Sequence, residues 1–187
     1  MLNIITIAWN RVYLEELEKT IPKECTWWIS VSDENTRNIS GFYLPQNTKL
    51  IRTRNDWYSR VSSVFSHLEN IEGYFCFVDN DTLFHEGMKN AYNTVKKNML
   101  IGKQAYCNEK IRLNQNIPIC GHIDMGNVLC NNNVLKSVQY EYKEGISDYI
   151  LWNKCFNYLG GDIELSDKVI SYYNYQRNQI DEQDIYK

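Results

Sequence analysis

The sequence predicts an α/β architecture, a mainly parallel sheet with helices packed against it. Three observations carry this. Runs of β-branched and aromatic residues alternate with stretches of helical periodicity through the first half of the chain. The run Tyr74-Phe75-Cys76-Phe77-Val78 is apolar at every position, as a strand covered on both faces requires, whereas a strand with one wet face would alternate. The length, 187 residues, suits a single domain that buries a good core without disulfide or metal staples.

Asn3 to Ala8 (NIITIA) is the first strand and Trp9-Asn10-Arg11 the loop after it. Val12 to Thr20 reads as a helix, with Val12, Tyr13, Leu14 and Leu17 at helical spacing and Pro22 ending it. Thr26 to Val31 (TWWISV) is the second strand, stopping at Ser32-Asp33-Glu34, and the polar stretch with Asn35, Asn38, Gly41 and Pro45 is loop. Lys49 to Arg54 is the third strand. Asn55 or Asp56 then caps a helix whose apolar stripe is Trp57, Val61, Val64, Phe65 and Leu68, with Arg60 at its edge. Next comes the apolar run opened by Gly73, ending in Asp79-Asn80-Asp81. The alternation up to this point predicts right-handed crossovers between parallel strands.

Beyond it, Glu86 to Asn98 reads as helix, and Met99 to Gly102 with Ala105 to Cys107 as a strand or its edge. Ile123 to Cys130 reads as a strand carrying Gly126, where a side chain would block close approach of another backbone or of a ligand. Asn132 or Asn133 starts a short helix. Ser147 caps a helix with Asp148 in its first turn and Tyr149, Ile150, Leu151, Trp152 and Phe156 along it, stopped by Gly160-Gly161. Ile163 to Tyr175 supplies the last strand, and the tail 176–187 is polar. No repeat or linker tract divides the chain, so one domain is expected over 1–187.

A formal charge of -3 and a pI near 5.7 argue against a general nucleic-acid binder. Six cysteines without a CxxC pair, several inside apolar segments, read as reduced core residues. MLNIITIAWN has no basic region or long apolar core, and no stretch approaches the ~20 apolar residues of a membrane helix. The expectation is a cytoplasmic protein without a transmembrane segment, compatible with peripheral contact at a membrane surface.

The sharpest chemical signal is the pair Asp79 and Asp81 at the carboxyl end of a buried strand. Ligands of open α/β sheets bind at that end, and grouped carboxylate oxygens suit a divalent cation holding a phosphate. Asp81 is the first candidate metal ligand. Asp79 is a candidate for the metal, a metal-bound water or a ribose, and Asn80 falls on the opposite strand face. The plain alternative is a carboxylate pair that caps a loop.

WNR after the first strand, an acid after the second, FVDNDTLF, a downstream Gly-containing segment (DMGNVLCN) and an Asp at a helix start (SDYILWNKCF) together resemble the GT-A glycosyltransferases over about residues 3 to 175. That resemblance implies a three-layer α/β/α sandwich, the nucleotide-diphospho-sugar transferase fold, with a nucleotide-binding half at about 1–84 and an acceptor half at about 85–175. It implies a DXD motif at Asp79 and Asp81 holding Mn²⁺ or Mg²⁺ against the diphosphate of a nucleotide-sugar donor, first of all a UDP-sugar, with a carbohydrate or lipid-linked acceptor. On the same grounds Ala8, Trp9 and Asn10 cradle the base, Asp33 contacts uracil or ribose, Asp79 and Asn80 join the nucleotide-sugar contacts, Arg60 pairs with phosphate or sugar, and Gly126 lines the sugar side. Asp148 is the candidate general base. Asp124 replaces the usual first Asn of the Gly-containing motif. The family's His after the last strand is absent, leaving Asn174 or His85 as candidate third ligands. Two alternatives stand beside this reading: a catalytically silent module of the same fold, and a haloacid-dehalogenase-like phosphatase with Asp79 as nucleophile.

Overall fold

The structure is a computed structural model, and it describes residues 1–9, 11–53, 64–67, 71–113, 117–118, 123–141, 143 and 147–173. Strand β1 (Leu2–Ala8) is buried at all seven positions. β2 (Thr26–Ser32) lies parallel to it on one side and β3 (Thr48–Thr53) parallel beyond that, while β4 (Tyr74–Asp79) lies parallel on the other side. The rest of the sheet is β5 (Leu83–Phe84), β6 (Met99–Ala105), β7 (Ile111–Leu113), β8 (Val128–Asn131) and β9 (Glu164–Tyr172), in the order β3-β2-β1-β4-β8-β6-β9-β5, with β7 paired to β6. β8 is antiparallel to both β4 and β6, β9 runs parallel to β6, and β5 and β7 are antiparallel to their neighbours. Strands β1 to β4, β6 and β9 therefore share one direction, so the sheet is mostly parallel, as expected.

The helices are α1 (Arg11–Thr20), α2 (Asp33–Thr36), α3 (Gly87–Thr94), α4 (Asn132–Ser137) and α5 (Ser147–Tyr158), and residues 64–67 are also helical. The two-residue period of a strand sends successive side chains to opposite faces. Thus Trp27 and Ile29 pack with Leu14, Leu17, Met88 and Ala91, whereas Trp28 packs with Ile51, Phe75, Leu151 and Trp152. Helices cover both faces, giving the three layers.

Two buried polar residues of β1 have a structural reason. Thr6 Oγ1 accepts the Trp27 indole N–H at 2.9 Å, and Asn3 Oδ1 accepts that of Trp28 at 3.1 Å. Each removes an indole donor that burial would otherwise leave unsatisfied. Gly73, at φ +108, opens β4 where a side chain could not stand, since a Cβ there would come within 2.0 Å of the Met1 carbonyl oxygen.

Several elements differ from the sequence reading. Asp33–Thr36 is a one-turn helix and not loop, because Ser32 Oγ accepts the Asn35 N–H at 3.3 Å and starts it. The predicted strand Ile123 to Cys130 is split: Met125–Asn127 forms a 3-10 turn, and only Val128–Asn131 pairs as β8. A capping box causes the break, in which the Asp124 side chain accepts from the turn's backbone and Asn127 Oδ1 accepts the Asp124 N–H at 3.0 Å. Met99 to Ala105 is one continuous strand, and the short edge pieces β5 and β7 had no periodicity long enough to read. The helix expected from Asn55 to Leu68 lies mostly outside the described residues.

Candidate functional site

The four parallel strands end along one edge. Their register pairs Ile7 with Asp79, Ala8 with Val31, and Ser32 with Thr53. The residues immediately after the strand ends, Trp9, Asp33 and Asp79 to Asp81, are thereby brought to the same side of the sheet. Asn10, Arg60 and Asn174 lie outside the described residues. Ala8 is fully buried, so at this edge it contributes backbone. Asp33 is exposed at the first position of α2.

Asp79 is partly exposed at the tip of β4, and its carbonyl accepts the Thr82 N–H at 3.1 Å, closing a turn. Within that turn Asn80 is 0 % exposed and Asp81 2 % exposed. Asn80 Oδ1 accepts the Trp9 N–H at 3.2 Å, which ties the loop after β1 to the loop after β4. Asn80 thus ties the two strand ends together with a buried side chain.

Asp148, in the first turn of α5, reaches the same place from the other half of the sheet. It and Asp79 line one small cavity of about 50 Å³, together with Ile5, Phe77, Met125 and Tyr140. Asp148 Oδ2 accepts the Met125 N–H at 3.3 Å. Burial against these apolar side chains and the neighbouring Asp124 carboxylate push the Asp148 carboxyl up to about 7, although the Met125 N–H and Arg112 pull the other way. A carboxyl poised near neutrality can either take or give a proton.

The sequence reading did not single out what holds Asp148 in place. Asp124 Oδ1 accepts the Gly126 N–H at 2.9 Å, so adjacent amides of the 3-10 turn hold the two carboxylates, Met125 that of Asp148 and Gly126 that of Asp124. Arg112 Nη1 pairs with Asp124 Oδ2 at 3.1 Å and also donates to Gln104 Oε1, while its guanidinium lies 3.5 Å from the centre of the Tyr173 ring. Gln104 Nε2 donates to Ser171 Oγ at 3.1 Å, and Ser171 Oγ donates to the Gly126 carbonyl at 2.7 Å. Gly126 is needed for this internal packing, because a Cβ there would press on Gln104 Nε2 at 3.1 Å and on Ser171 Oγ at 3.2 Å. Arg112 sits in a three-residue strand, and nothing in the local pattern marks it.

Asp79 and Asp81 supply oxygens of the hardness that Mn²⁺ or Mg²⁺ prefers. Among the described residues no group of three His, Cys, Asp or Glu gathers to hold a metal. His85 is taken up locally: its Nδ1 accepts the Gly87 N–H at 2.9 Å at the start of α3, and its ring packs edge-on against Tyr172. Of the two carboxylates, Asp79 is partly exposed at the strand ends and Asp81 is buried at 2 % exposed.

Neither a protein-family model nor a curated protein matches this sequence. Solved structures do match, and they share the nucleotide-diphospho-sugar transferase fold. The mannosyltransferase PcManGT from Pyrobaculum calidifontis, in complex with GDP-Man and Mn²⁺, superposes with a TM-score of 0.64 at 12% identity over 92% of this chain and 56% of its own. The 4-diphosphocytidyl-2C-methyl-D-erythritol synthase from Anaerococcus prevotii gives 0.57 at 10% identity, covering 100% and 95%. The CMP:2-keto-3-deoxy-manno-octonic acid synthetase, complexed with CTP, gives 0.55 at 13% identity, covering 99% and 98%. At these identities the likeness establishes the fold. These neighbours are enzymes that act on nucleotides or nucleotide sugars.

Proposed function

We propose that the chain is a metal-assisted glycosyltransferase that moves a sugar from a nucleotide-diphosphate donor, first of all a UDP-sugar, to a carbohydrate or lipid-linked acceptor. One observation carries the reading: Asp79 and Asp148 line the same cavity at the carboxyl ends of the parallel strands, with Asp81 two residues beyond Asp79. Arg11 and Arg112 are both already engaged, the first by Glu15 at 2.6 Å and the second by Asp124. A cation at Asp79 and Asp81 would share with Arg60 the neutralising of a diphosphate leaving group, which is the chemistry Mn²⁺ or Mg²⁺ supplies when bound. Ala8, Trp9, Asn10 and Asp33 would seat the nucleoside, Arg60 the phosphates or sugar, and Gly126 the sugar-side backbone. Asp148 would accept the proton of the acceptor hydroxyl, held in aim by the Met125 N–H.

A second reading, nucleotide transfer from a triphosphate, is favoured by coverage, since the chain spans nearly the whole of the CTP-complexed synthetase but little more than half of the mannosyltransferase. The shared fold favours nucleotide-sugar chemistry over the phosphatase alternative.

Thermal shift with UDP, GDP, CDP and CTP, with and without Mn²⁺, on the native chain and on Asp81→Asn tests this. UDP with Mn²⁺ should raise the native Tm beyond the metal alone by several degrees, as expected for about 2.7 kcal/mol of linkage at 100 times Kd. Asp81→Asn should lose that gain. A gain from CTP alone, with pyrophosphate release on adding a sugar phosphate, would favour nucleotide transfer. Binding without transfer or donor hydrolysis would mark a silent module, and phosphatase activity abolished by Asp79→Asn would revive the phosphatase. If no nucleotide stabilises the fold, the reading fails.

A further inference from the structure

β7 pairs with Gln104 and Ala105 at the carboxyl end of β6, and β6 runs in the direction of β1 to β4, so Arg112 comes to the same edge of the sheet as Asp79. A guanidinium at that edge suits the phosphates of a donor. Its contacts assign it elsewhere. Arg112 Nη1 serves both Asp124 Oδ2, at 3.1 Å, and Gln104 Oε1, while one face of the fork lies 3.5 Å from the centre of the Tyr173 ring. The side chain is only 21 % exposed.

What Arg112 reaches is the carboxylate beside the candidate base. Asp124 and Asp148 are held by consecutive amides, that of Gly126 at 2.9 Å and that of Met125 at 3.3 Å. Two carboxylates so placed repel each other, and Asp124 opposes the ionisation of Asp148 while Arg112 favours it. Asp79 adds a third acidic group from β4, and Tyr140 is the other titratable side chain lining the cavity. Gln104 Nε2 also donates to Asp124 Oδ1, at 3.4 Å, but brings no charge.

We propose that Arg112 is a positioning residue for sugar transfer: by neutralising Asp124 it keeps the Asp148 carboxylate seated on the Met125 N–H and aimed at the acceptor hydroxyl. The role rests on the reading of Asp148 as the base. Without the guanidinium, Asp124 stays fixed as the cap of the 3-10 turn. The repulsion is then relieved by Asp148, whose 3.3 Å bond to the turn is the longer of the two.

The test compares Arg112→Met, Arg112→Lys, and Arg112→Met combined with Asp124→Asn. Initial rates of transfer or donor hydrolysis are measured together with the NMR shift of the Met125 amide proton, and the same spectra report whether each variant is folded. Arg112→Met should lower kcat about 100-fold, the order of a misplaced catalytic group, and leave the donor KM within about twofold. Arg112→Lys should keep most of the rate, because an ammonium can donate to both Asp124 and Gln104. The combined variant should regain about tenfold, since Asn still accepts the Gly126 N–H and no charge remains to repel Asp148. The Met125 amide should move in Arg112→Met and return in the combined variant whether or not the chain transfers sugar, so this arm decides the positioning even if the transferase reading fails. A raised donor KM at unchanged kcat would make Arg112 a phosphate ligand and overturn the proposal. Additive losses in the combined variant, or a Met125 amide indifferent to Arg112→Met, would overturn it as well.

Discussion

β1 to β4 meet in unbroken parallel register, with every position of β1 buried, whereas β6, β8 and β9 meet through one short antiparallel pairing and a parallel one whose register shifts between Ile101 and Gln104. The first region is held by side-chain volume. The second buries volume as well, with Met99, Leu100, Ile101, Val128 and Leu129 in the core, and adds a chain of polar contacts, Arg112–Asp124, Gln104–Ser171 and Ser171–Gly126, around its 3-10 turn. Such networks hold well only when every member is satisfied. The two regions should therefore fail differently when disturbed.

The largest effect should come from shortening a core side chain of the parallel region. Ile4 is 0 % exposed, and Ile4→Ala removes its packing on the neighbouring strands and leaves a cavity, costing roughly 4 kcal/mol. Ile4→Val should cost only ~1 kcal/mol, since most of the volume stays. Urea denaturation measures both, and a cost for Ile4→Ala below that of Ile4→Val would contradict a region held by volume.

This contrast also explains what the sequence disclosed. The parallel region announces itself through continuous apolar runs such as NIITIA and YFCFV, and its loops carry Trp9, Asp33 and Asp79 to Asp81 to one edge by register alone. The fold class and the order of the main elements followed from such patterns. The other region depends on partners far apart in sequence, with Gln104 and Ser171 separated by 67 residues, which no local spacing encodes. Asp124 was noticed only as a departure from a motif, and its ion pair with Arg112 is visible only in three dimensions. The bond of Asn80 to the Trp9 amide is hidden from the sequence for a related reason, since strand alternation gives its face but not its partner.

In the polar region a change of almost no volume should matter. Ser171→Ala removes one oxygen, yet that oxygen accepts from Gln104 and donates to Gly126, both in the interior, so about 2 kcal/mol should be lost through the groups left unpaired. Adding Gln104→Met should cost less than the sum of the two single changes, because both break the same bond. Additive costs in urea denaturation would show that the contacts do not act as one network.

The smallest effect, and one of opposite sign, is expected at Asp148, the carboxyl that the polar region holds at the candidate site. Its folded-state value, about 7, lies above the usual 3.8. Between those values the folded chain retains a proton that the unfolded chain has released, so stability falls as pH rises from about 4 to about 7 and then levels off. Asn cannot ionise, and its side-chain oxygen can still accept the Met125 N–H. Asp148→Asn should therefore leave the Tm unchanged near pH 4 and raise it above pH 7, by the equivalent of about 1–2 kcal/mol once solvent screening at this partly exposed position is allowed for. Thermal melts across that range on both chains measure it. A Tm difference that does not vary with pH would mean Asp148 titrates as in the unfolded chain, and the polar region would then orient a carboxylate without tuning it.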